Sequence, residues 1–190
     1  FYLGAKSVCP DVTMKVMFTG SWYDEIEEKN AAQALIDAGC DLISQHADSM
    51  GAPTACENAG VPNVSYNGST VASCPNTFIV ASRIDWSPYF QYIVNQVAAN
   101  EAIATDWTGT IADGSVVLTD VNTAAAAAGT VEALADVKAK LEKGEVKVFD
   151  TATEGFITVG GAAMTSYMAD VDTDAAFEKD TEVVADGFFH

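Results

Sequence analysis

Short apolar runs alternate with amphipathic stretches along the first half of the chain. Residues 14–19 are apolar and β-branched enough for a buried strand. Gly20-Ser21 breaks that run, and Asp24 is placed to cap a helix whose first turn carries Glu25, Glu27 and Glu28 at the positive end of the helix dipole. Ile26, Ala31, Ala34, Leu35 and Ala38 then recur at roughly helical spacing, and Gly39 is positioned to end the helix. The unit repeats: residues 41–45 read as a short buried strand, Asp48 or Ser49 can cap a helix running to Asn58, and Gly60 stops it. Residues 63–66 supply a third strand, 77–82 a fourth, and 87–104 a helix with Pro88 in its first turn. Strands alternating with helices predict an α/β fold with a parallel sheet and right-handed crossovers.

From about Thr108 the pattern changes. A strand is predicted at 115–119, a helix at 130–143 closed by Gly144, and further strands near 145–149 and 156–159. The alanine tract 124–128 reads as an undemanding lead into that helix, and the tail after Ala162 carries weak signals. At 190 residues the chain is sized for one main core, with room for an appendage.

Charge narrows the partners. With 27 acidic against 9 basic residues, the formal net charge of -18 repels both a nucleic-acid backbone and an anionic lipid surface. No apolar run approaches the roughly 18 residues that a membrane-crossing helix requires. The first residue is Phe1, and no basic stretch followed by an apolar one precedes the fold, so the sequence is expected to be a processed or excised chain. Four cysteines, Cys9, Cys40, Cys56 and Cys74, lack CxxC spacing, and the chain has only 2 histidines, so a metal site is not expected. The even cysteine number is compatible with two disulfides or with four buried thiols. Cys9 and Cys40 each precede a predicted strand and Cys56 and Cys74 flank a third, which favours pairing 9 with 40 and 56 with 74.

In an open parallel sheet, ligands bind beyond the carboxyl ends of the strands, where helix N-termini and loop amides converge. Those loops carry Ser21, Trp22 and Asp24, then His46, Asp48 and Ser49, then Asn67 and Ser69, then Arg83, Asp85 and Trp86. Two tryptophans among short hydroxyl, amide and carboxylate side chains suit a flat, polar ligand, because the rings stack and the polar atoms orient. His46 and Asp48 have no GxSxG serine elbow to serve, no phosphate-binding glycine motif occurs, and Gly160-Gly161 is not followed by a helix. Neither a catalytic group nor a cofactor is expected.

The segments GAKSVCPDVTMKVMFTGSWYD, AAQALIDAGCDLISQHADS, AGVPNVSYN and IDWSPYFQYIV resemble the basic membrane protein family, substrate-binding lipoproteins of ABC importers. The similarity runs from about residue 3 to residue 150 and is most specific in GSWYD, DLISQHADS and DWSPYF. It implies a type I periplasmic-binding-protein fold of two Rossmann-like lobes that close over a purine nucleoside, nucleobase or related ligand. On that resemblance residues 1–13 end the first lobe and make a hinge crossing, and 14–85 form the second-lobe core. Residues 86–107 return to the first lobe, and 108–190 supply the remaining second-lobe strands and a mixed C-terminal extension, with most of the first lobe missing. The implied ligand contacts are Trp22, His46, Asp48, Ser49, Asn67, Ser69, Asp85 and Trp86. Ser69 stands where many members place an aspartate for ribose hydroxyls, and Ile84 where nucleoside binders often have a lysine. The Asp85-Trp86 pair is similar to a subgroup better suited to a base than to an intact nucleoside. The implied partners are a purine-like small molecule, the membrane subunits of an ABC transporter and the missing N-terminal lobe. The implied location is extracellular or periplasmic with a lipid anchor. An extracellular ligand-sensing module of a receptor and a nucleoside-acting enzyme are the alternatives.

Overall fold

The computed structural model describes residues 1–146 and the short strands at 168–169 and 183–184. Element order is α1 (Tyr2–Val8), α2 (Glu25–Asp37), β1 (Ile43–Ser44), α3 (Gly51–Ala59), β2 (Asn63–Tyr66), β3 (Phe78–Ile84), α4 (Ser87–Ala99), β4 (Val116–Leu118), α5 (Thr130–Glu142), β5 (Met168–Ala169) and β6 (Val183–Val184). The main sheet has the order β1-β2-β3-β4. Its first three strands are mutually parallel, while β4 runs antiparallel to β3 with Ser82 opposite Leu118. The predicted α/β class with a mainly parallel sheet is the observed one. β5 and β6 form a separate antiparallel pair.

Local chemistry sets the helix limits. Asp24 accepts the N–H of Glu27 at 3.0 Å and so caps α2. Gly60 takes a left-handed φ of 69° and ends α3, a conformation that costs a residue without Cβ little. Helices α2 and α3 meet through a core of Ala32, Ala52 and Ala55. Gly51 makes that approach possible, since a Cβ there would lie 2.2 Å from the carbonyl oxygen of Glu25. A second cluster, Cys74, Phe78 and Ala81, lies against the sheet, with Phe78 only 1% exposed.

Several expectations need correction. Residues 14–19 form no strand, and Met14, Val16, Met17 and Phe18 are exposed, Phe18 by 92%. Hydrophobicity supplies a reason to be buried, but a strand also needs a backbone ladder. Here the N–H groups of Ile43 and Gln45 bond on the β2 side, to Pro62 O and Val64 O, and no ladder pairs residues 14–19 with the opposite side of β1. Residues 14–22 are tied down instead by Lys15 Nζ donating to Ala38 O and by Asp48 N–H donating to Trp22 O. Helix α3 begins at Gly51 with Met50 in the N-cap position, and the Ser49 hydroxyl, one residue earlier than a regular cap, accepts the N–H of Gly51 at 3.1 Å, while Asp48 caps nothing. Helix α4 stops at Ala99, short of residue 104, because Asn100 turns left-handed with φ 56°. Helix α1 was not anticipated. The predicted strand at 156–159 lies outside the described residues, as does that at 145–149 from residue 147 onward.

The expected disulfides are absent: all four cysteines are free thiols. Cys9 is exposed at the end of α1 and Cys40 is half-buried, whereas Cys56 and Cys74 are fully enclosed. The Cys74 thiol is engaged by Thr70, donating to its carbonyl oxygen at 3.2 Å.

Candidate ligand-binding site

Because β1, β2 and β3 are parallel, their carboxyl ends reach the same edge of the sheet. His46 and Asp48 follow β1, Asn67 follows β2, and Asp85 and Trp86 follow β3. Trp22 belongs to the same edge through the 2.9 Å hydrogen bond from Asp48 N–H to its carbonyl oxygen. Trp22 is 78% exposed and Trp86 56% exposed, so both residues offer surface to solvent.

The polar groups between the tryptophans are fixed by short-range bonds. The His46 ring stacks on Tyr66 with centroids 5.4 Å apart. Asn67 sits at φ 64°, a left-handed conformation that asparagine tolerates, and its N–H donates to Ser82 O at 2.6 Å. Asp85 accepts the N–H of Ser87 at 2.9 Å and the guanidinium of Arg83 at 3.2 Å. Ser87 first, and then Arg83, hold its carboxyl below the usual aspartate range. Behind Trp86, Tyr89 and Phe90 lie 6.2 and 6.5 Å away, and Tyr89 stands 5.1 Å from Trp107. An aromatic wall thus backs one end of the edge.

The other end has depth. A groove of about 600 Å³ runs beside β1, with Phe18, Trp22, Leu35, Ile43, Gln45 and His46 among its walls. Two of the predicted contact residues fall elsewhere. Ser49 is 1% exposed, its Oγ accepting from Gly51 N–H and its own N–H donating to Glu28, so it supports the loop from within and cannot meet a ligand. Ser69 lines a different groove of about 440 Å³, together with Arg83, Thr119, Asp120 and Asn122. Among the described residues no group of three or more His, Cys, Asp or Glu side chains is placed to hold a metal.

Sequence reasoning missed Tyr66, Gln45 and Glu28. Tyr66 ends a strand whose burial alternates, so a strand-end aromatic next to the rim was readable. Glu28 resembles any acidic residue of a first helical turn, and only the folded chain shows it 3% exposed.

Comparison with known proteins adds the family. The family model described as ABC transporter substrate-binding protein PnrA-like matches residues 1–151. A purine-binding protein of Brucella abortus is 39% identical over 90 residues, covering 47% of this chain and 26% of its own length. A Haloferax volcanii protein named for glucose binding in an ABC transporter is 38% identical over 88 residues, covering 46% of this chain and 22% of its own. Metabotropic glutamate receptor-like protein A of Dictyostelium discoideum is 32% identical over 122 residues, covering 63% of this chain and 15% of its own. An ABC transporter solute-binding protein from Conexibacter woesei superposes with a TM-score of 0.64 at 23% identity, covering 77% of this chain and 49% of its own, and shares the fold. The chain therefore spans about a quarter or less of the curated relatives named here. With the match extending over residues 1–151, the chain belongs to the PnrA-like family of ABC transporter substrate-binding proteins.

Proposed function

We propose that this chain supplies the second lobe of an extracellular solute-binding protein serving an ABC importer, and that its ligand is a purine base or a similarly flat, polar molecule. The observation that carries the reading is the exposed pair Trp22 and Trp86 at one sheet edge, with Asp85 on the loop of Trp86 and Asp48 on the loop after β1, hydrogen-bonded to the Trp22 backbone. Rings supply stacking area and carboxylates accept the N–H groups of a heterocycle, while no bond need be made or broken. The name of the Brucella relative supports a purine.

Domain roles follow from the proposal. Residues 1–13 make a hinge crossing, 14–85 form the lobe that carries the rim, and 86–107 return to a first lobe contributed by the rest of the protein. Helix α4, which has no buried residue of its own, is the element offered to that lobe. Closure of the two lobes sandwiches the ligand, and the closed form is recognised by the importer's membrane subunits. A lipid anchor in the full protein would hold the carrier at the outer face of the membrane.

Calorimetry with adenine, guanosine and inosine tests the reading. The chain alone should bind weakly, since half of the clamp's contacts lie on the other lobe, and addition of that lobe should bring the affinity for one purine into the micromolar range. Failure of every purine to bind the two-lobed protein would sink it. A second reading, an extracellular sensor module of a receptor, is favoured by the match to the Dictyostelium receptor-like protein. A membrane-crossing helix adjoining this region in the same gene product would select it over the carrier.

A further inference from the structure

We propose that residues 16–19 are a strap that closes onto the free edge of β1 as a fifth, parallel strand and shuts the groove between them. The sheet order leaves β1 at an edge. The N–H groups of Ile43 and Gln45 bond towards β2, so that of Ser44, between them, faces the other way, and among the described residues it meets no backbone carbonyl. The same is true of the strap: among the described residues no backbone N–H or C=O of 14–20 bonds to another backbone group. Two unpaired stretches of backbone therefore lie on either side of one gap.

The strap already runs beside β1 and in its direction. Lys15, at its start, donates from Nζ to Ala38 O, ahead of β1, and Trp22, past its end, accepts at its carbonyl oxygen from Asp48 N–H, beyond β1. Residues 16–19 line the groove of about 600 Å³ together with Ile43, Ser44 and Leu35. Val16, Met17 and Phe18 are exposed, and a strand turns alternate side chains to opposite faces, so closure lays part of this apolar surface against α2. A segment tethered at both ends loses little entropy on closing, which favours it over a strand from a second copy. Gly20, at φ 70° with open space around it, is the pivot between the strap and Trp22. Closure thereby constrains Trp22 at the rim. The inference concerns the strap alone and stands whether or not the ligand is a purine.

Amide hydrogen exchange followed by NMR on the whole chain reads the closed state. The Ser44 amide should exchange at least about tenfold more slowly than in an unstructured chain and should show Overhauser contacts to residues 16–19. Met17→Pro and Phe18→Pro, made separately, cover both pairing registers, because alternate N–H groups of a strand face the same side. In one of them the protection of Ser44 should disappear, while Ile43 and Gln45, bonded towards β2, stay protected and report an intact sheet. Unprotected Ser44 in the wild-type chain, or the absence of contacts to residues 16–19, overturns the strap without need of a variant. Protection that survives both prolines, or that rises with protein concentration because a second copy fills the edge, overturns it as well.

Discussion

The buried carboxylate of Glu28 accepts the backbone N–H of Ser49 at 3.1 Å, joining helix α2 to the loop that carries His46 and Asp48. Its other oxygen accepts the N–H of Asp24 at 2.9 Å, so one side chain pins both the start of α2 and the loop opposite it. Removing the carboxylate leaves two N–H groups without partners. Glu28→Ala should lower stability by about 1–3 kcal/mol, with Glu28→Gln losing less because one acceptor oxygen remains. Urea denaturation with an unchanged slope measures it, and a midpoint for Glu28→Ala equal to wild type would show that the bridge is dispensable.

The glycine at the α2–α3 contact gives a second test. A methyl group at position 51 would stand 2.2 Å from Glu25 O and 2.9 Å from Lys29 N, both backbone atoms that no rotamer change can move. Gly51→Ala must therefore push the helices apart. Overpacking of this kind costs about 1–3 kcal/mol, which offsets the helix-propensity gain of alanine. Thermal unfolding should show a clear drop, roughly 2–4 °C per kcal/mol for a chain of this size. An unchanged or raised Tm would mean that the interface has slack.

Much of this architecture was legible because local and global signals agree. Asp24, Gly60 and Pro88 mark helix limits through capping and backbone preference, which act over a few residues. The run at 14–19 misled because its apolar pattern is local while the pairing it needs is not. Asp48 lies at the carboxyl end of β1 as expected, whereas Trp22 reaches that edge without a strand of its own, through its carbonyl oxygen accepting the N–H of Asp48. Ser49 was misjudged for a different reason: a serine in a loop looks like a ligand contact until its hydroxyl is seen accepting from Gly51 N–H within the core. The partnerless oxygen of Gln45 could not have been read at all, because an orphaned acceptor is a property of the assembled neighbourhood.

The thiols separate by environment. Cys9 is exposed, whereas Cys56 and Cys74 are sealed, and burial, followed by the neighbouring Cys74, pushes the Cys56 thiol up to about 12. Thiolate is the reactive species, so Cys56 should resist alkylation in the native protein at neutral pH. Iodoacetamide should label Cys9 first and Cys56 and Cys74 only on unfolding, with all four cysteines modified in denaturant without reductant. Recovery of fewer thiols, with the missing pair returned by reduction, would restore the disulfide expectation.

The turn before β4 yields a pH prediction whose sign is fixed by its hydrogen bonds. Asp113 Oδ1 accepts the N–H of Ser115 at 3.0 Å, and Oδ2 accepts both the N–H and the hydroxyl of Thr110 at 2.8 and 2.9 Å. Bonds from Ser115, and then Thr110, outweigh partial burial and hold the carboxyl down to about 2, from an ordinary 3.8. A depressed folded-state value means that the unfolded chain binds the proton first as pH falls. The stabilisation is therefore complete above about pH 4 and is lost progressively towards pH 2. Amide NMR shifts of Thr110 and Ser115 should stay constant through pH 4 and move together near pH 2. In Asp113→Asn that step should vanish, and the dependence of stability on pH below 4 should become shallower. Midpoints near 3.8 in the wild-type chain would show that the turn does not grip its carboxylate, and the ordered approach to β4, which carries Asp85 N–H onto Ser115 O at 2.8 Å, would need another cause.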